Sequence, residues 1–284
     1  MTFVCFRTAR GFCELISLKM GTLLSSMKPT MSILARSAVL DFGIQWGLFA
    51  IAAALKTEKF YDLAGSSTFL LLTYQTLKWG GTFHFRQVVQ SGMVGVWALR
   101  LGMYLFSRVL NEGEDRRFRQ AKNNLGLFFF FWTMQAVWVW LTLLPTQILN
   151  AQTNDRPLTK RDYVGWGMFV VGLLLEIVAD YQKAVFRADP DNTGKFINTG
   201  LWSISRHPNY LGEIILWAGL YISASSVMTG KQYLSVISPI FVYLLLTRVS
   251  GIPLLERYGL KKWGNSNLYQ EYLKKTPVLW PKFW

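Results

Sequence analysis

Seven stretches of this chain are apolar over about the length a bilayer demands, which leaves few folds open. A membrane-crossing helix needs about 20 mostly apolar residues, because hydrocarbon offers no water to satisfy an irregular backbone. The stretches run from Ser37 to Leu55, Ala64 to Leu77, Val88 to Phe106, Leu125 to Leu149, Tyr163 to Tyr181, Pro208 to Met228 and Tyr233 to Leu246. The second is short and rich in hydroxyls. Composition agrees: 51% of the residues are hydrophobic and only 16% charged, against about 25% charged in soluble domains. The expected fold is all-α, a polytopic membrane bundle of seven helices.

The same composition excludes other classes. The 12 Trp, 12 Tyr and 20 Phe are too many for a disordered chain. Cys5 and Cys13 lack a C-x-x-C spacing, and the two histidines are His84 and His207, so neither a disulfide framework nor a metal site is expected. A net charge of +14 in a soluble protein would suggest nucleic acid. Here the basic residues lie mostly between apolar runs, which fits the positive-inside rule and no nucleic-acid partner. With the C-terminus cytoplasmic, the loops on that side carry the larger share of Lys and Arg, so the expected orientation is N-out, C-in. Residues 1–36, basic with Glu14 as the single acid, are either a targeting segment or a frayed tail. Residues 37–284 are expected to form one transmembrane domain, with 251–284 as its cytoplasmic tail.

Ionisable groups inside the spans carry the next constraint. Each costs roughly 2.5 to 3.5 kcal/mol at the bilayer centre, so each implies a partner or a polar cavity. This chain has Asp41, Arg100, Glu176 and Asp180 there. Glu176, Asp180 and Lys183 share one helix face. Two acids at that spacing repel unless a cation or hydrogen-bond donors lie between them. Lys183 alone reads as a brace near the membrane surface.

The densest signal is S-R-H-P-N-Y-L-G-E, Ser205 to Glu213. Pro208 suits the first turn of a helix, with Ser205 or His207 at the cap. From there Arg206, Asn209, Tyr210, Glu213 and Trp217 fall on one stripe. Free amides at a helix start, with Arg206 and His207, make a seat for an anion. An interfacial anchor of Arg, His and Tyr is the plainer alternative, but it has no need of Asn209 and Glu213. Under the expected orientation four charged segments face one side: Glu112 to Arg119, Asp180 to Arg187, Arg206 to Glu213 and Arg248 to Glu256. Such convergence suits a charged, water-borne cofactor beside a lipid substrate.

These residues resemble the steroid 5α-reductase and sterol reductase superfamily, and more closely a branch of short multi-span proteins. The resemblance rests on W-A-L-R-L ending at Leu101, Arg108, Gly113-Glu114-Asp115-Arg116, Glu176, Asp180 and the Ser205 to Glu213 block. V-S-G-I-P-L-L-E ending at Glu256, then Tyr269, Tyr272 and Thr276-Pro277, complete it. It implies NADPH bound at the cytoplasmic half of the bundle and a hydrophobic small molecule entering from the lipid. It places Arg187 and Arg248 on the cofactor's phosphates, Asp180 at its polar rim, Asn209 near the nicotinamide amide and Glu213 in support. Arg206, as a further phosphate contact, with His207 and Tyr210 completes the cofactor-binding set.

Trp97 stands where the steroid reductases carry a tyrosine, and indole donates a hydrogen bond but does not readily deliver a proton. The catalytic residue is therefore left open among Tyr61, Tyr74 and Tyr104. The activity implied is NADPH-dependent reduction of a carbon-carbon double bond in a lipid or steroid-like substrate, in the endoplasmic reticulum or another organelle membrane. The alternative is an S-adenosylmethionine-dependent membrane methyltransferase of the isoprenylcysteine carboxyl or phospholipid type. In that case Arg206, His207 and Tyr210 hold the cofactor and Glu256 completes the pocket. A lipid-binding scaffold without nucleotide affinity is the third reading.

Overall fold

The computed structural model describes residues 29–112, 118 and 121–281, without the side chains of 107–112 and 122. Cys5, Cys13, most of the basic leader, the Gly113 to Arg116 stretch and the Arg108 side chain thus lie outside the described residues.

Every regular element among the described residues is helical. In chain order they are α1 (Pro29–Leu55), α2 (Tyr61–Gly80), α3 (Phe85–Glu112), α4 (Leu125–Asn150) and α5 (Lys160–Ala188). A single turn, Leu201–Ile204, precedes α6 (Pro208–Ala224) and α7 (Ile237–Leu244). A π-helical turn, Leu245–Val249, then leads to α8 (Ile252–Trp263) and α9 (Asn267–Lys275). Five stretches are long and apolar enough to cross a membrane: Pro29–Leu55, Phe85–Phe106, Leu125–Asn150, Lys160–Ala188 and Gly230–Trp263. The chain is an integral membrane protein. The other two expected spans are helical but fall short of that measure. The hydroxyls of Ser66, Ser67, Thr68, Thr73 and Thr76 dilute α2, and α6 has 17 residues.

Local chemistry marks the helix ends. Gly81, at φ 71°, stops α2 and donates its N–H to the Leu77 carbonyl at 3.2 Å. Asn124 caps α4 by accepting from the Leu127 N–H at 3.0 Å. At the start of α5 the Asp162 carboxylate reaches back to the Thr159 N–H at 2.7 Å.

Buried polar side chains bind the helices to one another, as they do where apolar surface has no water to avoid. Ser37 donates to Gln147 at 2.6 Å, and Gln135 donates to Gln45 at 2.9 Å, which sets α1 antiparallel to α4. Gln87 donates to the Leu149 carbonyl at 3.0 Å and Gln90 to Thr146 at 3.0 Å, which does the same for α3 and α4. At one end of the bundle Arg86 on α3 donates to Asp162 on α5 at 2.6 Å; further along both helices Arg100 pairs with Glu176, so α3 and α5 run parallel.

The closest packing lies between α5 and α6. A Cβ at Gly165 would fall 2.4 Å from the Gly219 carbonyl oxygen, and one at Gly172 would fall 2.5 Å from that of Gly212. Reciprocally, a Cβ at Gly212 would sit 2.4 Å from the Gly172 oxygen. Two glycines on each helix thus bring the backbones into direct contact in antiparallel register. Beside this seam an aromatic core joins α2, α3, α4 and α6: Phe69 meets Trp97 at 4.9 Å and Trp138 at 4.8 Å, and Trp97 meets Trp217 at 4.8 Å. The outer face of α5 exposes Val164, Val170, Val171, Leu174 and Val178, as a lipid-facing helix does.

Candidate functional site

Three helices place the charged cluster. Glu176 and Asp180 stand one turn apart on α5, and the glycine seam sets Asn209 and Glu213 of α6 beside them. Arg100 of α3 is the cation their spacing requires: its guanidinium donates to Glu176 through one nitrogen and to Asp180 through another. Asn209 Nδ2 donates to the second Asp180 oxygen at 3.2 Å. Glu213 is held by two indoles, Trp97 Nε1 at 3.0 Å and Trp217 Nε1 at 2.9 Å. Trp97, at the position of the expected tyrosine, thus acts as a hydrogen-bond donor to an acid.

A second cluster adjoins it at the start of α6. His207 is the cap residue and Pro208 opens the helix. Ser205 accepts from the His207 N–H at 3.2 Å and donates to the Leu279 carbonyl at 2.8 Å. Glu256 of α8 takes Arg206 at 3.0 Å through one oxygen and His207 Nε2 at 2.8 Å through the other. Arg206 also donates to the Leu273 carbonyl at 2.9 Å, and its backbone N–H to that of Pro277 at 3.0 Å. Tyr272 of α9 donates to the Trp202 carbonyl at 2.7 Å. The His207 ring stacks on Tyr210, 5.7 Å between centroids. Burial pushes the His207 imidazole below its ordinary range, and this outweighs the upward pull of Glu256.

Of the expected set, Asp180, Asn209 and Glu213 meet in the first cluster, and Arg206, His207 and Tyr210 in the second. Arg187 lies two turns beyond Asp180 on α5, and Arg248 sits in the π turn. Both are exposed, and neither forms an ion pair with another described residue. The segment after Arg248 reaches the site, since a Cβ at Gly251 would lie 3.0 Å from the Tyr210 ring. Of the three tyrosines, Tyr61 donates to the Phe131 carbonyl at 2.8 Å and Tyr74 faces outward. Tyr104 lies under the Arg100 guanidinium, 5.8 Å from its ring centroid. Asp41 joins neither cluster: it is 0% exposed on α1, and neither carboxylate oxygen has a hydrogen-bond partner among the described residues.

Arg100, Glu176 and Trp217 complete these clusters although neither cofactor set read from sequence included them, and Glu256, which only the methyltransferase alternative named, joins Arg206 and His207. The signal for Arg100 was there, because two intramembrane acids on one face demand a cation. Three buried atoms at the site have no partner among the described residues: Glu176 Oε2, Arg206 Nε and His207 Nδ1. Buried polar atoms are normally satisfied, so this mixture of donor and acceptor fits a polar ligand. A separate apolar cavity of about 420 Å³ lies between α1 and α2, lined by Ile44, Leu48, Ile51, Leu63, Leu71 and Thr68. It is divided from the charged cluster by α2, whose Phe69 packs on Trp97.

Comparison with known proteins gives a family and two relatives. The family model described as "Protein of unknown function (DUF1295)" matches residues 48–276. Over 98 residues, 34% of this chain and 32% of the relative, it is 33% identical to "Probable O-methyltransferase ustE" of Ustilaginoidea virens. Over 226 residues, 69% of this chain and 64% of the relative, it is 27% identical to an uncharacterized protein of Schizosaccharomyces pombe. The matches thus span about a third and just under two thirds of these curated relatives. No solved structure matches the chain.

Proposed function

The chain belongs to the DUF1295 family, and from that premise we propose that it is a membrane-bound, NADPH-dependent reductase of a carbon-carbon double bond in a lipid. The observation that carries the reading is how the guanidiniums are used. Arg187 and Arg248, two of the three arginines assigned to phosphates, are exposed and free of ion pairs with described residues. The guanidinium of Arg206, the third arginine assigned to phosphate and the one on which a methyltransferase reading also leans, is engaged with Glu256 and the Leu273 carbonyl. A dinucleotide with several phosphates needs open arginines, whereas a carboxylate and a sulfonium need fewer.

When bound, NADPH supplies a hydride to the substrate. In this reading Arg187 and Arg248 bind its phosphates. Arg100 fixes the Asp180 carboxylate, Asp180 accepts from Asn209, and the oriented Asn209 amide sets the register of the nicotinamide. Tyr104 is the phenol beside the cluster, and its hydroxyl delivers the proton. The apolar outer face of α5 leaves a lipid substrate to approach from the side. The bundle makes seven passes, α2 and α6 included, with the N-terminus outside and the charged end cytoplasmic, in the endoplasmic reticulum.

A second reading, an S-adenosylmethionine-dependent methyltransferase, is favoured by the name of one relative and by the unpartnered Arg206 Nε and His207 Nδ1. Binding separates the two. Purified full-length protein in detergent, titrated side by side with NADPH, NADH and S-adenosylmethionine, is expected to saturate with NADPH. Saturation with S-adenosylmethionine alone transfers the assignment to the second reading.

A further inference from the structure

The last apolar stretch is longer than the bilayer it crosses. Gly230–Trp263 has 34 residues, and a crossing takes about 20. Counted from Gly230, that length ends near Val249, where the π turn closes, and Gly251 then leaves the helical region at φ −87°, ψ −95°. The remainder is α8. It therefore starts at the membrane surface, and Arg257, Lys261 and Lys262 bar it from the hydrocarbon.

The rotation of α8 is fixed from its inner side. Glu256 clasps Arg206 and His207, Ile252 is buried, and Gly259 leaves no room for a Cβ beside the Tyr269 hydroxyl. The Trp263 indole donates to the Gly194 carbonyl at 2.5 Å. At 3.6 residues per turn the opposite face carries Leu254 and Tyr258 along its centre, Leu255 and Lys262 on one flank, and Arg257 and Lys261 on the other. Leu254 is 48% exposed, Leu255 39% and Tyr258 51%. The three cations are exposed too, and none forms an ion pair with another described residue. Glu256, the one acid of the helix, is turned inward.

Water gives three large apolar side chains on one face nothing to pack on, and hydrocarbon does not take three cations; the headgroup layer accommodates both. A second copy packed through the same patch would set cation against cation. Cations with no acid among them are drawn instead to a negatively charged leaflet. We propose that α8 lies in the plane of the membrane surface, with Leu254, Leu255 and Tyr258 at the acyl boundary and Arg257, Lys261 and Lys262 on the headgroups of anionic phospholipids. This surface goes beyond the reductase reading and does not depend on it.

The test uses the full-length chain with Cys5→Ser and Cys13→Ser, and with Leu254→Cys carrying a fluorophore. It is placed in nanodiscs of phosphatidylcholine alone or mixed with phosphatidylserine, with brominated acyl chains on the phosphatidylcholine as quencher. A label on Leu174→Cys, on the outer face of α5, is expected to be quenched in both discs and serves as the control for a folded bundle. The label on Leu254→Cys is expected to be quenched more strongly with phosphatidylserine present. Added to it, each of Arg257→Gln, Lys261→Gln and Lys262→Gln is expected to shift the ratio of docked to undocked helix about fivefold toward undocked. Salt at about 1 M is expected to remove the effect of phosphatidylserine. Quenching that phosphatidylserine does not raise overturns the anionic partner. A label unquenched in either disc puts the face in water, and one shielded only in discs that hold two copies makes it a subunit interface; each of these overturns the proposal.

Discussion

Arg100 spans two carboxylates that would otherwise repel each other across one turn of α5. Removing one partner of a buried pair leaves uncompensated charge and costs about 3 to 5 kcal/mol. Arg100→Met is accordingly expected to lower the Tm in detergent sharply. Adding Asp180→Asn should recover part of the loss, because it removes one of the stranded charges; a double variant no more stable than the single one argues against this pairing. His207 makes a pH prediction. Burial makes it harder to protonate in the folded protein than in the unfolded chain. Between those two values the unfolded chain binds more protons, so stability rises with pH across the window and falls as pH drops below about 6.5. Melting curves are expected to show that decline, and His207→Gln to flatten it. The cap at Pro208 was legible in the sequence because it depends on neighbours within one turn. The clasp of Arg206 by Glu256 was not, since its partners come from α8 and the chain end.

At the scale of elements, the α5–α6 seam sets the site. Its glycines meet backbone atoms, which cannot move aside as a flexible side chain can: a Cβ at Gly172 would lie 2.5 Å from the Gly212 oxygen and 2.7 Å from the Leu216 nitrogen. Gly167, on the same helix, has nothing within 4 Å of its Cβ position. Gly172→Ala is therefore expected to lower Tm and weaken cofactor binding together, while Gly167→Ala leaves both unchanged. Similar behaviour of the two variants in a thermal-shift assay would show that the helices do not pack this closely. Gly212, inside the Ser205 to Glu213 block, lacks a Cβ and so admits the backbone of α5. The matching seven-residue spacings of Gly165 with Gly172 and Gly212 with Gly219 were present in the chain, but became meaningful only once α5 and α6 were set against each other.

For the molecule as a whole, the proposed seven passes make a labelling pattern. With Cys5 and Cys13 replaced by Ser, single cysteines at Asp191 and Lys274 should react with an impermeant maleimide from one side of sealed vesicles, and those at Asn154 and Lys231 from the other. Asp191 and Lys231 labelling from the same side contradicts the topology, because α6 alone crosses between them. Five of these spans follow from hydropathy, a sum over adjacent residues that needs no partner. The helix start at Pro208 and the demand for a cation near Glu176 and Asp180 are likewise local consequences of backbone geometry and like-charge repulsion. Tertiary structure decided which cation answers that demand, an arginine 76 residues from Glu176, and which arginines remain open. It also holds the hydroxyl-rich α2 and the short α6 inside the bundle. Pairing depends on how each helix is rotated and slid against the next. That register comes from glycine contacts and buried hydrogen bonds between segments far apart in the chain, where no local pattern reaches.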